Sequence, residues 1–333
     1  MEARTLYFAE PGRVERRTRP LAAPDPGEVV VETTASGISA GSELLVYRGE
    51  VPDGMAVDAT IDVLDGEFAY PLAYGYAAVG EVVAAGDGTS VGVGRRVFAF
   101  HPHADRFRTG EDAVVPLPDG VGTEAATLLP SVETATNIAL DAAPKVGERA
   151  VVFGAGAVGL CTIAVLADFP LERLVAVEPV AARRERALAL GADAAVSPEE
   201  FDGFPDATPA GADLAVELSG RPATLDDAID AVGFDGRVVV GSWYGTKRSP
   251  VALGGCFHRD RISVESSQVS TVAPELRGRW TTDRRLDAAL DRVARLDADR
   301  LLTHRVPFAE AEDAYRLLDE GADDALQVVL TYP

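Results

Sequence analysis

The chain has 333 residues, 47% of them hydrophobic, and a formal net charge of −22. That is enough length for two cored domains, and the negative field repels nucleic acid and acidic membranes. No apolar run approaches the roughly 18 residues of a membrane span, the N-terminus lacks a signal-peptide pattern, and two cysteines are too few for a disulfide framework or a four-thiolate metal site. A cytoplasmic protein is expected. Among the basic residues only Lys145 and Lys247 are lysines. An acidic, lysine-poor surface resembles that of proteins from salt-loving organisms, where screening weakens self-repulsion. A GC-rich genome would leave the same composition.

Residues 1 to about 127 read as an all-β module. Short β-rich runs (28–32, 76–83, 96–100 and 113–117) are bounded by Gly, Pro and Asp clusters, as in a small barrel or sandwich. Val121 to Leu140 then reads as helix, with Thr123 and Glu124 favouring its first turn. From about 145 to 265 strands and helices alternate. Strands are expected at 149–153, 174–178, 194–196, 213–218, 236–241 and 261–266, and helices near 157–168, 180–190 and 222–232. That is the pattern of a doubly wound parallel sheet. An amphipathic helix (Thr282 to Leu296), a strand (His304 to Pro307), a helix (Ala309 to Gly321) and a last strand (Leu326 to Tyr332) complete the chain.

The sharpest motif is Phe153-Gly154-Ala-Gly156-Ala157-Val158-Gly159, three glycines spaced G-x-G-x-x-G between a β-run and an apolar helix pattern. Gly154 allows the tight turn, Gly156 lets backbone approach a pyrophosphate, and Gly159 lets helix pack on sheet. The helix N-terminus offers unpaired N–H groups to the phosphates. Leu174-Val-Ala-Val-Glu178 ends in a carboxylate about twenty residues on, where a ribose diol is held. Glu178 favours NAD over NADP, because a carboxylate repels a 2′-phosphate. Arg183 and Arg184 keep NADP open, unless they are only exposed cations pairing with Glu185 or solvent. Cys161, just inside that helix, reads as core.

The order of barrel, dinucleotide sheet and short α/β tail resembles the medium-chain dehydrogenase/reductase superfamily over nearly the whole chain. The matching pieces are Ser36-Gly-Ile-Ser39, Gly41-Ser-Glu43, Tyr74-Gly75-Tyr76-Ala77-Ala-Val-Gly80, Val93-Gly94-Arg-Arg96-Val97, the glycine turn and the ending Leu301 to Phe308 with Ala314 to Leu318. Ser36 to Val51, Phe98 to Asp105, Phe257 to Ile262 and Ser266 to Val269 look most like the branch containing bacteriochlorophyllide hydroxyethyl dehydrogenases. The resemblance implies a GroES-like β-barrel catalytic domain (1–127 and 271–333) and a Rossmann domain (128–270). It also implies a tail folded back on the barrel, and an active site in the cleft between the domains.

Many members of the superfamily hold a catalytic zinc. Here the first ligand position falls on Ser39 or Ala40, the His of Gly-His-Glu is Tyr76 followed by Ala77, and the third falls near Pro130 and Ser131. None supplies a thiolate or imidazole, so no metal is expected. His101, His103 and Asp105 are the residual candidates, being two apart, although Pro102 argues for a turn.

Without zinc a side chain must exchange the substrate oxygen's proton. His101 suits this by its intrinsic pKa, unless it merely ends a strand. Tyr76, at the ligand position, could donate to a carbonyl or only fill space, and Ser39 flanks it. Glu43 and His103 are candidate substrate contacts, with a structural role as the alternative for Glu43. The resemblance places Thr134 beside the nicotinamide carboxamide, and Gly241 and Ser242 with Ser219 along the cofactor. Glu133 reads as a first-turn carboxylate stabilised by the helix dipole. Trp243, Tyr244 and Trp280 could stack on a flat substrate or simply pack.

These readings converge on zinc-independent, NAD(P)-dependent interconversion of a secondary alcohol and a ketone, acting on a small molecule, with NAD the favoured cofactor. Two alternatives stand beside it: reduction of a conjugated C=C bond in a quinone or enone, and non-catalytic cofactor binding in a structural or redox-sensing role. The run Arg261 to Ser266 is expected at a sheet edge, and an exposed edge points to a homodimer.

Overall fold

The structure is a computed structural model describing residues 1–58, 61–204 and 210–333. It opens with a hairpin that composition conceals. β1 (Glu2–Glu10) pairs antiparallel with β2 (Arg13–Pro20), although β2 carries four arginines. Arg13 pairs with Glu10 and Glu15, and the Arg17 and Arg19 guanidinium carbons lie 4.7 and 5.0 Å from the Tyr7 ring centroid. The inner face of β1 supplies Leu6 and Phe8 to the core.

β3 (Glu28–Ile38) follows, then α1 (Glu43–Arg48), β4 (Leu72–Ala73), β5 (Ala78–Ala85), β6 (Arg96–Ala99), β7 (Arg106–Gly110), β8 (Val114–Pro116) and α2 (Thr123–Ala126). The single helix expected over 121–140 is two. Pro130 has no N–H and fits only a first turn, so the chain restarts at α3 (Leu129–Ala142).

The nucleotide sheet is built from β9 (Arg149–Phe153), α4 (Ala157–Leu166), β10 (Arg173–Val177), α5 (Ala181–Ala189), β11 (Ala194–Val196), β12 (Ala212–Glu217), α6 (Thr224–Ala231), β13 (Val232–Val240), α7 (Cys256–Arg259) and β14 (Ser263–Ser266). Its strand order is β11-β10-β9-β12-β13-β14, all parallel. The order reverses at β9, so the glycine turn leaves the sheet at its topological switch point. α8 (Thr282–Val293), β15 (Leu302–Pro307), α9 (Ala311–Asp319) and β16 (Gln327–Thr331) end the chain. β16 pairs antiparallel with β3, Leu330 opposite Ser36, so the tail joins the barrel sheet in the order β15-β16-β3-β5-β6-β8, with β7 also on β3. This is the GroES-like fold joined in sequence to a Rossmann fold. In the barrel core Phe8 meets Tyr315 edge to face at 5.2 Å. Each such buried ring contributes roughly 1.5–3 kcal/mol.

Two compact units result: 1–130 with 293–333, and 131–292. α8 falls in the second unit, past the 270/271 boundary read from the sequence. Its Arg285, 2% exposed, bonds to Glu133 and Asn137 of α3 and to the carbonyls of Val269 and Thr271. Among the described residues no helix is long and apolar enough to cross a membrane.

Candidate active site

In the nucleotide unit the functional groups gather at the carboxyl ends of the strands. β9 is buried along its whole length between β10 and β12. Beyond Phe153 the chain must turn at once, and Gly154 does so at φ +94°. A Cβ on Gly159 would stand 2.0 Å from the Gly154 carbonyl oxygen, so the helix packs against the turn only because that Cβ is missing. Gly156 differs from both. Nothing lies within 4 Å of where its Cβ would point, which leaves room for a pyrophosphate. Gly156 also caps α4 without a side-chain bond, so the first-turn N–H groups of Ala157, Val158 and Gly159 are available to an anion. This loop fits a dinucleotide.

Glu178 follows β10 and is 3% exposed. Its carboxylate accepts from the Ala155 N–H at 2.7 Å and the Val180 N–H at 3.0 Å. It therefore ties the glycine loop to the second strand, while each oxygen keeps a further acceptor site for a hydroxyl. Arg183 lies half-buried in the first turn of α5. Arg184 pairs with neither Glu185 nor solvent alone: its Nη1 donates to the carbonyls of Glu178 and Pro179.

Past β12 and β13 a cluster forms that the sequence reading lacked. Glu217 is fully buried. Its carboxylate accepts from the Ser219 N–H at 2.7 Å, the Ser219 hydroxyl and the Tyr244 phenol at 2.6 Å, and Ser242 Oγ accepts from the Gly220 N–H. Gly241 is closed in by Leu218 and Ile138. Burial and the adjacent carboxylate raise the Tyr244 pKa. Its hydroxyl is thus committed to Glu217 and not left to a substrate. Trp280 has Arg284 over its ring at 4.2 Å, so one of its faces is covered and not open to stacking. Trp243 and Thr134 are half-buried. Glu133 is no exposed first-turn carboxylate, since it lies in the ion pair with buried Arg285. Burial raises its pKa while Arg285 opposes the shift.

The barrel unit holds the second group. The Tyr76 phenol donates to Ser39 Oγ at 2.5 Å and approaches Ser42 Oγ at 3.2 Å. All three residues are partly exposed. Burial pushes the Tyr76 pKa up to about 12, with the serine hydroxyls opposing the shift. His101 stands apart from this cluster: its Nδ1–H donates to the Pro102 carbonyl at 2.8 Å and its ring lies flat on Phe107 at 3.9 Å. Burial lowers its pKa to about 4, so the imidazole is neutral near pH 7.

His101, His103 and Asp105 do not converge. His103 and Glu43 are completely buried and bonded to each other at 3.0 Å, and Asp105 pairs with Arg4. The substrate contacts expected of Glu43 and His103 are accordingly corrected, because neither has any exposed surface. Among the described residues no group of three or more His, Cys, Asp or Glu side chains is arranged to hold a metal ion. Cys161 is buried, its thiol pushed up to about 12.

Two family models match successive parts of the chain. The family model of the alcohol dehydrogenase GroES-like domain matches residues 25–139, and that of the zinc-binding dehydrogenase matches 157–286. A probable zinc-binding alcohol dehydrogenase of Mycobacterium tuberculosis is 29% identical, over 98% of this chain and 88% of its own. The 2-desacetyl-2-hydroxyethyl bacteriochlorophyllide A dehydrogenase of Rhodobacter capsulatus is 27% identical, over 100% and 99%. The crystal structure of 2R,3R-butanediol dehydrogenase from Bacillus subtilis superposes with a TM-score of 0.80 at 21% identity, covering 99% of each chain. The chain belongs to the medium-chain dehydrogenase/reductase superfamily. It is an NAD(P)-dependent oxidoreductase of that kind.

Within a medium-chain dehydrogenase/reductase the hydroxyl cluster acquires meaning from its position. Tyr76 and Ser39, which the resemblance sets with Ala40 at expected ligand positions, bond to each other here. Ser42 and Glu217 are the site residues that sequence reasoning missed. Ser42 lay within the matched Gly41-Ser-Glu43 run. Glu217 could have been noticed as a charge closing the apolar run Leu214-Ala-Val.

Proposed function

We propose that this protein interconverts a secondary alcohol and a ketone with NAD(H), without zinc, and that Tyr76 and Ser39 manage the proton of the substrate oxygen. The carrying observation is the 2.5 Å bond between those two hydroxyls. A zinc site wants thiolate, imidazole or carboxylate donors. Two neutral hydroxyls beside Ala40 and Ala77 do not fit one, and no step is routed through a metal.

Bound nicotinamide would supply or accept the hydride. The chain's own residues do the rest. The glycine loop and the α4 N-terminus bind the pyrophosphate, and the Glu178 oxygens take the ribose hydroxyls, which favours NAD over a 2′-phosphorylated cofactor. In reduction the Ser39 hydroxyl donates to the substrate carbonyl oxygen, Tyr76, which already donates to Ser39 Oγ, replaces that proton, and the phenolate so formed takes a proton back from solvent. In oxidation the same protons run backwards, so a phenol raised to about 12 makes a scarce base near neutrality. His101, neutral and tied to Pro102, is assigned a structural place.

Support for carbonyl chemistry comes from relatives named as alcohol and hydroxyethyl dehydrogenases. The decisive experiment supplies purified protein with NADH and either ketones or conjugated enones, following nicotinamide absorbance, alongside elemental analysis. Turnover of ketones without bound zinc is expected. Turnover of enones alone would favour C=C reduction, and one zinc per chain recovered with activity would overturn the zinc-free reading. We also propose a homodimer, supported by β14, whose four residues are all exposed at the end of the parallel sheet. Operation in high salt is proposed from the charge of −22.

A further inference from the structure

Beneath the hydroxyl cluster lies a buried polar assembly that the proposed chemistry does not use directly. The Glu43 carboxylate has no exposed surface and accepts three bonds. Oε1 takes the Ser39 N–H at 2.8 Å, while Oε2 takes His103 Nε2–H at 3.0 Å and the Tyr315 hydroxyl. The Glu43 N–H returns a bond to the Ser39 carbonyl at 2.8 Å. The loop 39–43 is thereby closed from both ends, and it carries both serine hydroxyls that meet Tyr76. His103 completes its valences through Nδ1, which accepts from Ser36 Oγ at 2.7 Å, and Ser36 Oγ lies 2.8 Å from the Tyr332 hydroxyl.

The other face of the same imidazole meets backbone. Gly75 sits at φ +103°, and a Cβ there would lie 2.6 Å from His103 Cδ2 and Nε2. Only a glycine lets the ring pack against the residue that precedes Tyr76. His103 thus contacts a neighbour of each half of the hydroxyl cluster: Gly75, which precedes Tyr76, and Glu43, which accepts from the Ser39 N–H. Tyr315, from α9, locks the shared carboxylate oxygen from a third element.

We infer that Glu43 and His103 are positioning residues that hold the Ser39 and Tyr76 hydroxyls at bonding distance, a role that rests on the catalytic reading of those hydroxyls. A buried, fully bonded cluster anchored on β3, α1, the 101–105 segment, α9 and the residue after β16 has one low-energy arrangement, because any shift leaves a buried donor or acceptor unpaired.

The test needs no knowledge of the substrate. The chain has eight tyrosines, so protein labelled with 3-fluorotyrosine gives a fluorine spectrum in which Tyr76→Phe identifies the Tyr76 signal. Glu43→Gln, which keeps shape and removes charge, is expected to move that signal by more than its linewidth. Tyr315→Phe, which deletes one bond to Glu43, is expected to move it less. Val97→Ala, elsewhere in the barrel core, should leave it in place. If Glu43→Gln does not fold, Tyr315→Phe and His103→Gln carry the test. A Tyr76 signal unmoved in every folded variant overturns the brace.

Turnover of ketones separates the two ideas. Glu43→Gln should lower kcat about tenfold or more with the KM for NADH unchanged, and should lower it no further in a Tyr76→Phe background. Multiplying losses overturn the brace. Full activity of Tyr76→Phe alone ends the catalytic reading, and the fluorine shift then shows whether Glu43 orders the cluster at all.

Discussion

The glycine turn of the nucleotide unit and the hydroxyl cluster of the barrel unit are built from different materials. At the turn the working parts are backbone: N–H groups at the start of α4, a positive φ at Gly154, and space kept empty beside Gly156. In the barrel they are side chains whose positions depend on residues far away in sequence, Tyr76 on Ser39 and, beneath them, Glu43 on Tyr315. A backbone device is specified by missing atoms and fails when an atom is added. A side-chain device is specified by partners and fails when one is removed.

The largest expected effect tests the first half of that contrast. Gly159→Val puts atoms onto the Gly154 carbonyl, where a Cβ alone would stand 2.0 Å away. It should cost about 3 kcal/mol or more in urea unfolding and abolish NADH fluorescence enhancement. An intact cofactor affinity would break the comparison.

Arg285→Ala sharpens it by showing that side-chain partnership also matters within the nucleotide unit. With Arg285 gone, Glu133 stays buried without its cation, a loss of about 3–4 kcal/mol by denaturant titration. Glu133→Gln combined with Arg285→Met should recover part of it.

In the barrel, Tyr76→Phe should reduce ketone turnover about a hundredfold, with stability changed by less than about 1 kcal/mol. The wild-type oxidation rate should climb with pH through the alkaline range toward about 12, and that climb should vanish in the variant. A pH-independent wild type would argue against Tyr76 as the group that titrates.

The smallest effect concerns His101. Its folded pKa, about 4, lies below the ordinary 6.5, so the unfolded chain takes up the proton first. The stability this neutral ring contributes is present above pH 6.5 and lost as pH falls toward 4. Between pH 7 and 5 the wild type should lose about 1–2 kcal/mol more than His101→Gln. Equal slopes would show a solvated ring.

Period and spacing sufficed for the doubly wound sheet, because strands β9 to β13 are apolar runs punctuated by glycine, and helix α4 follows a motif whose geometry is local. The β1–β2 hairpin has no β-like composition because half of its outer strand is arginine, and its burial comes from Tyr7 and Phe8 on the partner. The break between α2 and α3 is legible in Pro130, which has no N–H and fits only a first turn.

The sequence by itself determined which backbone must turn, which helix must begin beside open space, and which family the chain joins. These follow from torsional freedom and hydrophobic period within a few residues. Only the tertiary structure decided that Glu43 and His103 are buried and bonded to each other, that Tyr244 donates to Glu217, and that Tyr76 finds Ser39. Each of those pairings brings together groups distant in the chain, and their chemistry is set by burial and by hydrogen-bond partners that no local spacing encodes.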